Sequence, residues 1–408
     1  MNQKRTKKLL FLPFPVISIL FLFALTFPQA KKIEHKNGWT VVHNDQRRVK
    51  SKSLPLTLEF VRKIGDIEAP DENTAFYLPS DVAVDKEGNI YILDTGNHRL
   101  QKFNPQGEFL ITIGRQGQGP GEFYFPSSVS LDPQGNIYVA DPYNKRIEVL
   151  SPEGKEIKTI RLQEEGGEKI RCRTDGQLVL SKGNQMIISA EDEKTLPPLL
   201  QVLESDGNLV TRFVTPFDFK DLLATRLGNQ LDFVVAKDNH VLITFYYQNR
   251  IEKYSPQGKI IWQADRRLNY ELGLQGKGVL DRKGGSVRVM LPKMNRCSSG
   301  IAVDGQGRVW VATLQRQLKK DEKVGMMVGM SMDNGQRSMS MRVRGNTELR
   351  KTDAYILEIF SPEGHYLGAL PTEIFIDGLF IYGDRLFLLD KMRGCSVYEY
   401  KIVSKATS

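Results

Sequence analysis

Apolar and polar residues alternate in short runs over most of this chain, and turn residues separate the runs. Residues 79–114 read PSDVAVD, a KEGN turn, NIYILD, RLQKF, an NPQG turn and FLITIG. Apolar residues at every second position, between turns rich in Gly, Pro, Asn and Asp, indicate antiparallel β-strands. This stretch therefore predicts a unit of four strands.

The four-stranded unit is repeated along the chain. Residues 126–160 align with 79–114 almost without gaps. The turn between the third and fourth strands recurs five times, as FNPQG (103–107), LSPEG (150–154), LESDG (203–207), YSPQG (254–258) and FSPEG (360–364). Four-stranded units repeated at this spacing are typical of β-propeller blades. The repeat predicts five complete blades.

A sixth blade is predicted to be composite. Residues 379–402 supply only three strands, and LTLEFVRKIG (56–65) resembles the missing fourth strand. Pairing the two segments would close the ring and remove exposed sheet edges. The predicted fold is therefore all-β: a monomeric six-bladed propeller of four-stranded antiparallel blades over 54–403, closed by the N-terminal strand 56–65.

The repeats resemble those of a known family. GQGPGEFYFPSSVSLDPQGNIYVADPYNKRI (117–147) is similar to the NHL-repeat consensus, and TGNHRL (95–100) contains the letters that name the repeat, with Arg99 before the Leu. Over 56–403 the chain resembles NHL-type six-bladed propellers of exported bacterial proteins. That resemblance implies an interaction platform.

The N-terminus predicts export. Four basic residues precede an apolar run over 9–27, as in a signal sequence. We interpret 1–30 as a signal peptide or a signal anchor, the latter holding the chain in the inner membrane through 9–27. Either form places the rest of the chain in the periplasm or outside the cell. Residues 31–53 are interpreted as a linker and 404–408 as a tail.

Four insertions interrupt the blades, and by strand order all lie on one face of the ring, the top face: 183–197, 215–230, 263–296 and 315–353. Insertions into propellers map to loops, where function concentrates. The formal net charge is +9, and residues 263–353 hold 18 Lys or Arg against nine Asp or Glu. The basic residues Arg266, Arg267, Arg282 and Lys283 are thus candidates for binding an acidic ligand. Export argues against a nucleic-acid partner.

The insertion 315–353 contains the near-palindrome VGMSMDNGQRSMSMRV (328–343). Asn334-Gly335 favours a two-residue hairpin turn that pairs Met330 with Met339 and Val328 with Met341. Alternation then places Met330, Met332, Met339 and Met341 on one face. Such a face could pack on the propeller as a lid, bind a protein partner or hold a soft metal ion.

Three carboxylates align near the starts of innermost strands: Asp81, Asp232 and Asp377. A resemblance to lactonases related to paraoxonase and gluconolactonase implies Ca²⁺ at the channel mouth, whereas solvated strand-start residues are the simpler interpretation. The regularly repeated Asp residues of the turns, and His98, are interpreted as turn residues. Cys172, Cys297 and Cys395 lack metal-site spacing and are interpreted as small buried residues, with a disulfide left open.

The sequence therefore favours a non-catalytic binding or scaffold propeller of the cell envelope, which recognises an envelope protein or an acidic ligand through its top face. The alternative is a Ca²⁺-dependent lactonase- or esterase-like hydrolase, or a lyase, with its site at the channel mouth. Apart from that Ca²⁺, the sequence indicates no cofactor or metal. Whether the chain is an enzyme stays open at this point.

Overall fold

The computed structural model describes residues 32–44, 54–162, 167–181, 196–283, 286–333 and 336–405. It describes the backbone but not the side chains of residues 32, 282–283, 286–288, 330–333 and 336–338. Three strands precede the first complete blade: β1 (Lys32–Lys36), β2 (Trp39–His43) and β3 (Leu56–Ile64).

Blades one to three are antiparallel four-stranded sheets, in the order of the chain from the channel to the rim. Blade one contains β4 (Pro79–Val84), β5 (Ile90–Asp94), β6 (Arg99–Phe103) and β7 (Phe109–Ile113). Blade two contains β8 (Ser128–Leu131), β9 (Ile137–Asp141), β10 (Arg146–Leu150) and β11 (Glu156–Arg161). Blade three contains β12 (Ile170–Cys172), β13 (Leu178–Ser181), β14 (Leu200–Leu203) and β15 (Leu209–Phe213). Short 3-10 helices follow β5 and β9, at Thr95–Asn97 and Pro142–Asn144.

Helix α1 (Leu222–Gly228) lies between blades three and four, and four short strands lie between blades four and five. Blade four contains β16 (Leu231–Val235), β17 (Val241–Phe245), β18 (Ile251–Tyr254) and β19 (Ile260–Ala264). The inserted strands are β20 (Leu274–Gln275), β21 (Val279–Lys283), β22 (Ser286–Met290) and β23 (Lys293–Met294). β21 pairs with β22, and β20 with β23.

Blade five is interrupted by a long hairpin. Its own strands are β24 (Ser298–Val303), β25 (Val309–Leu314), β28 (Tyr355–Phe360) and β29 (Tyr366–Pro371). The hairpin consists of β26 (Val324–Asp333) and β27 (Gln336–Gly345). Blade six contains β30 (Gly378–Tyr382), β31 (Arg385–Asp390) and β32 (Ser396–Ser404), with β3 as its outer strand.

The predicted ring closure is confirmed. β3 pairs with β32 from Leu56 opposite Ser404 to Ile64 opposite Val397. Leu56 is 1% and Ile64 3% exposed. Leu56 packs in the core between blades five and six, and Ile64 in the core between blades six and one. Strand β3 therefore joins three blades and leaves the ring without an open end.

The predicted linker 31–53 is wrong over its first part, because β1 and β2 form a hairpin. β2 runs parallel to β19, and the hairpin of β1 and β2 thereby adds two strands to the rim of blade four. Asn37 and Gly38 have positive φ angles of 38° and 89°, as a tight hairpin turn requires. This Asn-Gly pair between alternating residues is a signal that the linker interpretation overlooked.

The core lies between neighbouring blades, and one packing device recurs there. Gly114 follows β7 with a φ of +83°, and a Cβ on it would stand 2.2 Å from the Phe123 ring. Gly65 and Phe76 repeat this arrangement one blade earlier, also at 2.2 Å. Only glycine combines this backbone conformation with such a close approach. The aromatic ring is thereby fixed beneath the loop that leads into the next blade.

The structure confirms that the repeated Asp residues of blades one and two stabilise turns. Asp85 accepts hydrogen bonds from the backbone and side-chain nitrogens of Asn89, both at 2.8 Å. Asp94 accepts from the Tyr77 backbone N–H at 2.8 Å, and Asp141 from that of Tyr124 at 3.1 Å. Asp94 and Asp141 thus hold the loops that lead into the first strands of blades one and two.

His98 has a left-handed backbone with a φ of 56°, as expected for a turn residue. Its side chain, however, is buried, and its Nδ1 accepts the Phe125 N–H at 2.9 Å. The three cysteines are free thiols: Cys297 and Cys395 are buried and Cys172 is half-buried. Within the described residues no helix has the length and apolarity that crossing a membrane requires. The predicted export segment 1–30 lies outside them.

Candidate functional site

The hairpin of blade five has the predicted register. Met330 lies opposite Met339 and Val328 opposite Met341; the predicted turn at Asn334-Gly335 lies outside the described residues. On β27 the exposure alternates: residues 339, 341 and 343 are half-buried, and residues 340, 342 and 344 are exposed. On β26, Val328 is 48% exposed, so the predicted apolar face is not covered evenly. The side chains of Met330 and Met332 are not described.

The hairpin extends across the top face. It leaves blade five between β25 and β28, yet its contacts lie on the far side of the ring. The Tyr77 hydroxyl, before blade one, donates to the Met341 carbonyl at 2.7 Å. The Met339 N–H donates to the Tyr124 hydroxyl, before blade two, at 3.0 Å. Blade two is opposite blade five in a six-membered ring, so the hairpin extends from blade five over the top face as far as the loop before blade two.

Removing both hydroxyls with Tyr77→Phe and Tyr124→Phe is expected to loosen the hairpin without unfolding the ring. Each hydrogen bond contributes about 1 kcal/mol net, so amide exchange in β27 should accelerate roughly 5- to 30-fold. Hydrogen–deuterium exchange with mass spectrometry measures this change. Tyr143→Phe, an exposed tyrosine of blade two, is the control. Unchanged exchange in β27 would contradict the arrangement.

Charged side chains lie around the top of the channel. Lys169 immediately precedes β12, and Asp232 is the second residue of β16. Arg296 stands two residues before β24, Asp377 immediately before β30 and Lys391 immediately after β31. Innermost strands begin at the top face and the next strands end there. These five residues of blades three to six therefore belong to one region, the channel mouth.

Two of the predicted carboxylates are already paired. Arg171 of blade three donates from Nη1 and Nη2 to both oxygens of Asp81 in blade one, at 2.8 and 2.9 Å. Asp232 forms an ion pair with Lys169. Burial raises the pKa of Asp81, but the charge and hydrogen bonds of Arg171 more than offset this and lower it overall. The Asp81 carboxylate therefore stays ionised inside the protein.

Backbone donors complete the surroundings of both carboxylates. Asp81 accepts the Val129 N–H of blade two at 3.0 Å, and Asp232 accepts the Ile301 N–H of blade five at 3.1 Å. Their exposures of 2% and 4% contradict the interpretation as solvated strand-start residues. Within the part of the chain that the structure describes, no three His, Cys, Asp or Glu side chains are grouped to hold a metal ion. Asp81 and Asp232 instead connect neighbouring blades.

Arg296 is held in a fixed orientation at the channel mouth. Its guanidinium stacks on the Tyr246 ring, 4.6 Å from the ring centroid. Its Nε donates to the Ser298 carbonyl at 2.9 Å, and its own carbonyl accepts from the Gln317 amide at 2.7 Å. Among the described residues, Nη1 and Nη2 have no hydrogen-bond partner. The end of the guanidinium is therefore free to bind a ligand.

Lys391 and Asp377, both of blade six, lie at the same channel mouth as Arg296 of blade five. The Lys391 N–H donates to Asp377 Oδ2 at 2.9 Å. Burial lowers the pKa of Lys391, against the opposing influence of Asp377 and Glu168. Neither the Lys391 ammonium nor Arg296 forms an ion pair with a carboxylate of the described ranges. Lys391 thus lies within the electrostatic influence of Asp377 and Glu168, and Arg296 within that of Asp377.

Asp390, at the end of β31, makes the stability depend on pH. Burial, reinforced by the charge of Asp377, raises the pKa of Asp390 to about 6. The folded chain therefore keeps a proton that the unfolded chain releases near pH 4, and this group destabilises the fold progressively as pH rises from 4 to 6.

Asp390→Asn removes this titration. The stability of the variant relative to wild type is expected to increase by about 3 kcal/mol between pH 3.5 and pH 7. Urea denaturation at both pH values measures the change. If the variant and wild type differed in stability by the same amount at both pH values, Asp390 would not titrate in this range.

The predicted basic residues do not form one surface. Arg266 is only 3% exposed, where it bonds to Ser298 Oγ and lies 3.7 Å from Glu358. Its predicted role in binding an external ligand is therefore wrong. Arg267 is exposed, and the side chains of Arg282 and Lys283 are not described. Burial of Arg266 follows from its position two residues after the end of β19, at the junction of two blades.

Five residues of this region were not predicted from the sequence: Lys169, Arg171, Tyr246, Arg296 and Lys391. One signal was present. Blade three reads KIRCR (169–173) where blade two reads SSVSL (127–131). Three cations thus stand at the start of an innermost strand of blade three, where blade two has Ser127, Val129 and Leu131. For Arg296 and Lys391 the sequence carries no comparable signal, because each occurs once and in a loop.

Comparison with solved structures shows the fold. A Bacteroides vulgatus protein of the DUF4221 family is 11% identical, with 86% of this chain and 99% of that chain covered and a TM-score of 0.54. A candidate exported protein of Bacteroides fragilis is 11% identical, with 90% and 100% covered and a TM-score of 0.53. Virginiamycin B lyase of Staphylococcus aureus is also 11% identical, with 85% and 100% covered and a TM-score of 0.45.

No curated protein matches the chain. Among protein families, one described as a 6-bladed β-propeller matches residues 31–254. The matched range begins with the N-terminal hairpin and contains blades one to three and most of blade four. It covers more than half of the sequence, and the chain therefore belongs to the DUF5128 family of six-bladed β-propellers.

Proposed function

We propose that this chain is a binding propeller of the cell envelope that takes an acidic ligand at the channel mouth, beneath the hairpin of blade five. The observation that carries the proposal is the pair of cations at the mouth, Arg296 and Lys391, which have no carboxylate ion-pair partner in the described ranges. A partly buried cation without an anion is unfavourable, and an acidic ligand would supply the missing charge.

The surroundings support binding rather than catalysis. Asp81 and Asp232 are already occupied by Arg171 and Lys169, so they are poorly placed to act as a base or as metal ligands. The hairpin over the mouth can limit access and contribute contacts. The envelope location is supported by the basic and apolar N-terminus and by the Bacteroides fragilis propeller of the same fold, which is described as a candidate exported protein.

Hydrogen–deuterium exchange tests the proposal and does not require a purified ligand. An envelope extract of the producing cells is separated on an anion exchanger into a retained acidic fraction and an unretained neutral fraction. The acidic fraction is expected to protect β27 and the loop residues 292–297, while the turns on the opposite face exchange unchanged. Protection by the neutral fraction alone, protection only of the opposite face, or none at all would contradict the proposal.

A further inference from the structure

The channel mouth combines groups that suit different parts of one ligand. Arg296 presents two terminal nitrogens in a fixed plane, because stacking on Tyr246 and the bond from Nε to Ser298 hold the guanidinium. A planar fork of this kind matches the two oxygens of a carboxylate and forms two parallel hydrogen bonds with it. A carboxylate is therefore a better fit than a single-atom anion.

The same mouth contains acceptors that a purely acidic ligand would not use. Asp377 uses Oδ2 to accept the Lys391 N–H, and in the described ranges no donor is bound to its Oδ1. Asp377, Arg296 and Tyr246 lie at strand ends on the same face of the ring, and the charge of Asp377 acts on both Arg296 and Tyr246. A carboxylate at this side of the mouth needs hydroxyl or amine donors from the ligand.

Aromatic side chains complete the lining. Tyr246 immediately follows β17, Tyr247 comes next, and Tyr355, which is only 3% exposed, begins β28. Burial, the largest cause, raises the pKa of Tyr246 and of Tyr355, so both keep their hydroxyl protons. Tyrosines offer an apolar ring face together with a hydroxyl that donates and accepts. Such surfaces suit a ligand with C–H faces and hydroxyl groups.

We infer that the ligand is an acidic sugar of the hexuronate class, with its carboxylate on Arg296 and Lys391 and its hydroxyls on Asp377, Tyr246 and Tyr247. This inference rests on the proposed function and specifies its ligand. An acidic peptide also carries carboxylates, but its side chains set CH₂ groups beside them rather than hydroxyl donors. A hexuronate supplies both the charge and the donors within one ring.

Isothermal titration with D-glucuronate and D-glucose tests the inference, because the two differ only in a carboxylate against a CH₂OH group. Glucuronate is expected to bind wild type at least 10-fold more tightly than glucose. Arg296→Met should weaken glucuronate binding about 10- to 100-fold, the effect of losing a charged, paired hydrogen bond. The affinity of Arg296→Lys for glucuronate should lie between those of wild type and Arg296→Met, because lysine keeps the charge but lacks the planar pair of donors.

Arg115→Met is the matched control: it removes the same charge from a side chain that is 82% exposed, and binding should not change. Lys391→Met provides a second variant if Arg296→Met does not fold. Three results would overturn the sugar assignment. They are equal affinities for glucuronate and glucose, affinities of Arg296→Met and Lys391→Met equal to that of wild type, and the absence of glucuronate binding. Arg296-dependent binding of a triglutamate peptide without glucuronate binding would overturn it too, yet leave the acidic-ligand proposal standing.

Discussion

Truncating Leu56 and Ile64 together to alanine should remove most of the stability of the propeller. Both side chains are buried at the two ends of β3, each in a different inter-blade core. A buried Leu or Ile replaced by Ala costs about 2–5 kcal/mol. Because the two sites lie in separate cores, their effects should add. The sum of about 4–10 kcal/mol is comparable with the whole stability of a typical domain.

Equilibrium urea denaturation followed by circular dichroism measures this effect. Val61→Ala is the matched control, since Val61 lies on the same strand but is 42% exposed; it should cost less than about 1 kcal/mol. If the double variant were as stable as Val61→Ala, β3 would not be the element that closes the ring.

The second large effect is expected at the ion pair between Asp81 and Arg171. Arg171→Met leaves a carboxylate buried among blades without its cation, which costs about 3–5 kcal/mol. The double variant Asp81→Asn with Arg171→Met should lose less than the two single variants added together, because no isolated charge remains. Chemical denaturation of the four proteins completes the double-mutant cycle.

The pH dependence gives an independent check on this pair. Arg171 holds the pKa of Asp81 below its usual value. The stability that the pair contributes is therefore present above that usual value, near pH 4, and is lost as pH falls through the lower folded pKa. The loss of stability caused by Arg171→Met should therefore be smaller at acid pH than at neutral pH. Arg115→Met, in an exposed pair with Glu122, should leave the stability nearly unchanged at any pH.

The repeat made much of the architecture predictable. Turns such as NPQG at 104–107 and alternating strands such as NIYILD are local patterns, and each recurs at corresponding places in several blades. The missing outer strand of blade six could be assigned to 56–65 because β3 resembles the strand that it replaces. The register of β26 and β27 was predictable as well, because a two-residue Asn-Gly turn fixes which residues face each other.

The candidate site was less predictable. Of the residues selected from sequence, Asp81 and Asp232 prove to join blades, and Arg266 is buried beside Glu358. Arg296 and Lys391 were missed, since each lies in a loop without periodic neighbours. A charged residue in a loop looks the same in a sequence whether it is solvated or directed into a channel.

By itself, the sequence determined the six-bladed ring, its closure by β3 and the hairpin within blade five. The reason is that these features depend on periodicity, turn chemistry and pairing between similar segments, all of which are local. Only the tertiary structure decided that the N-terminal hairpin joins blade four, that the blade-five hairpin reaches Tyr77 and Tyr124 across the ring, and that Arg171 pairs with Asp81 two blades away. These contacts join single residues far apart in the chain, and ring geometry alone brings them together.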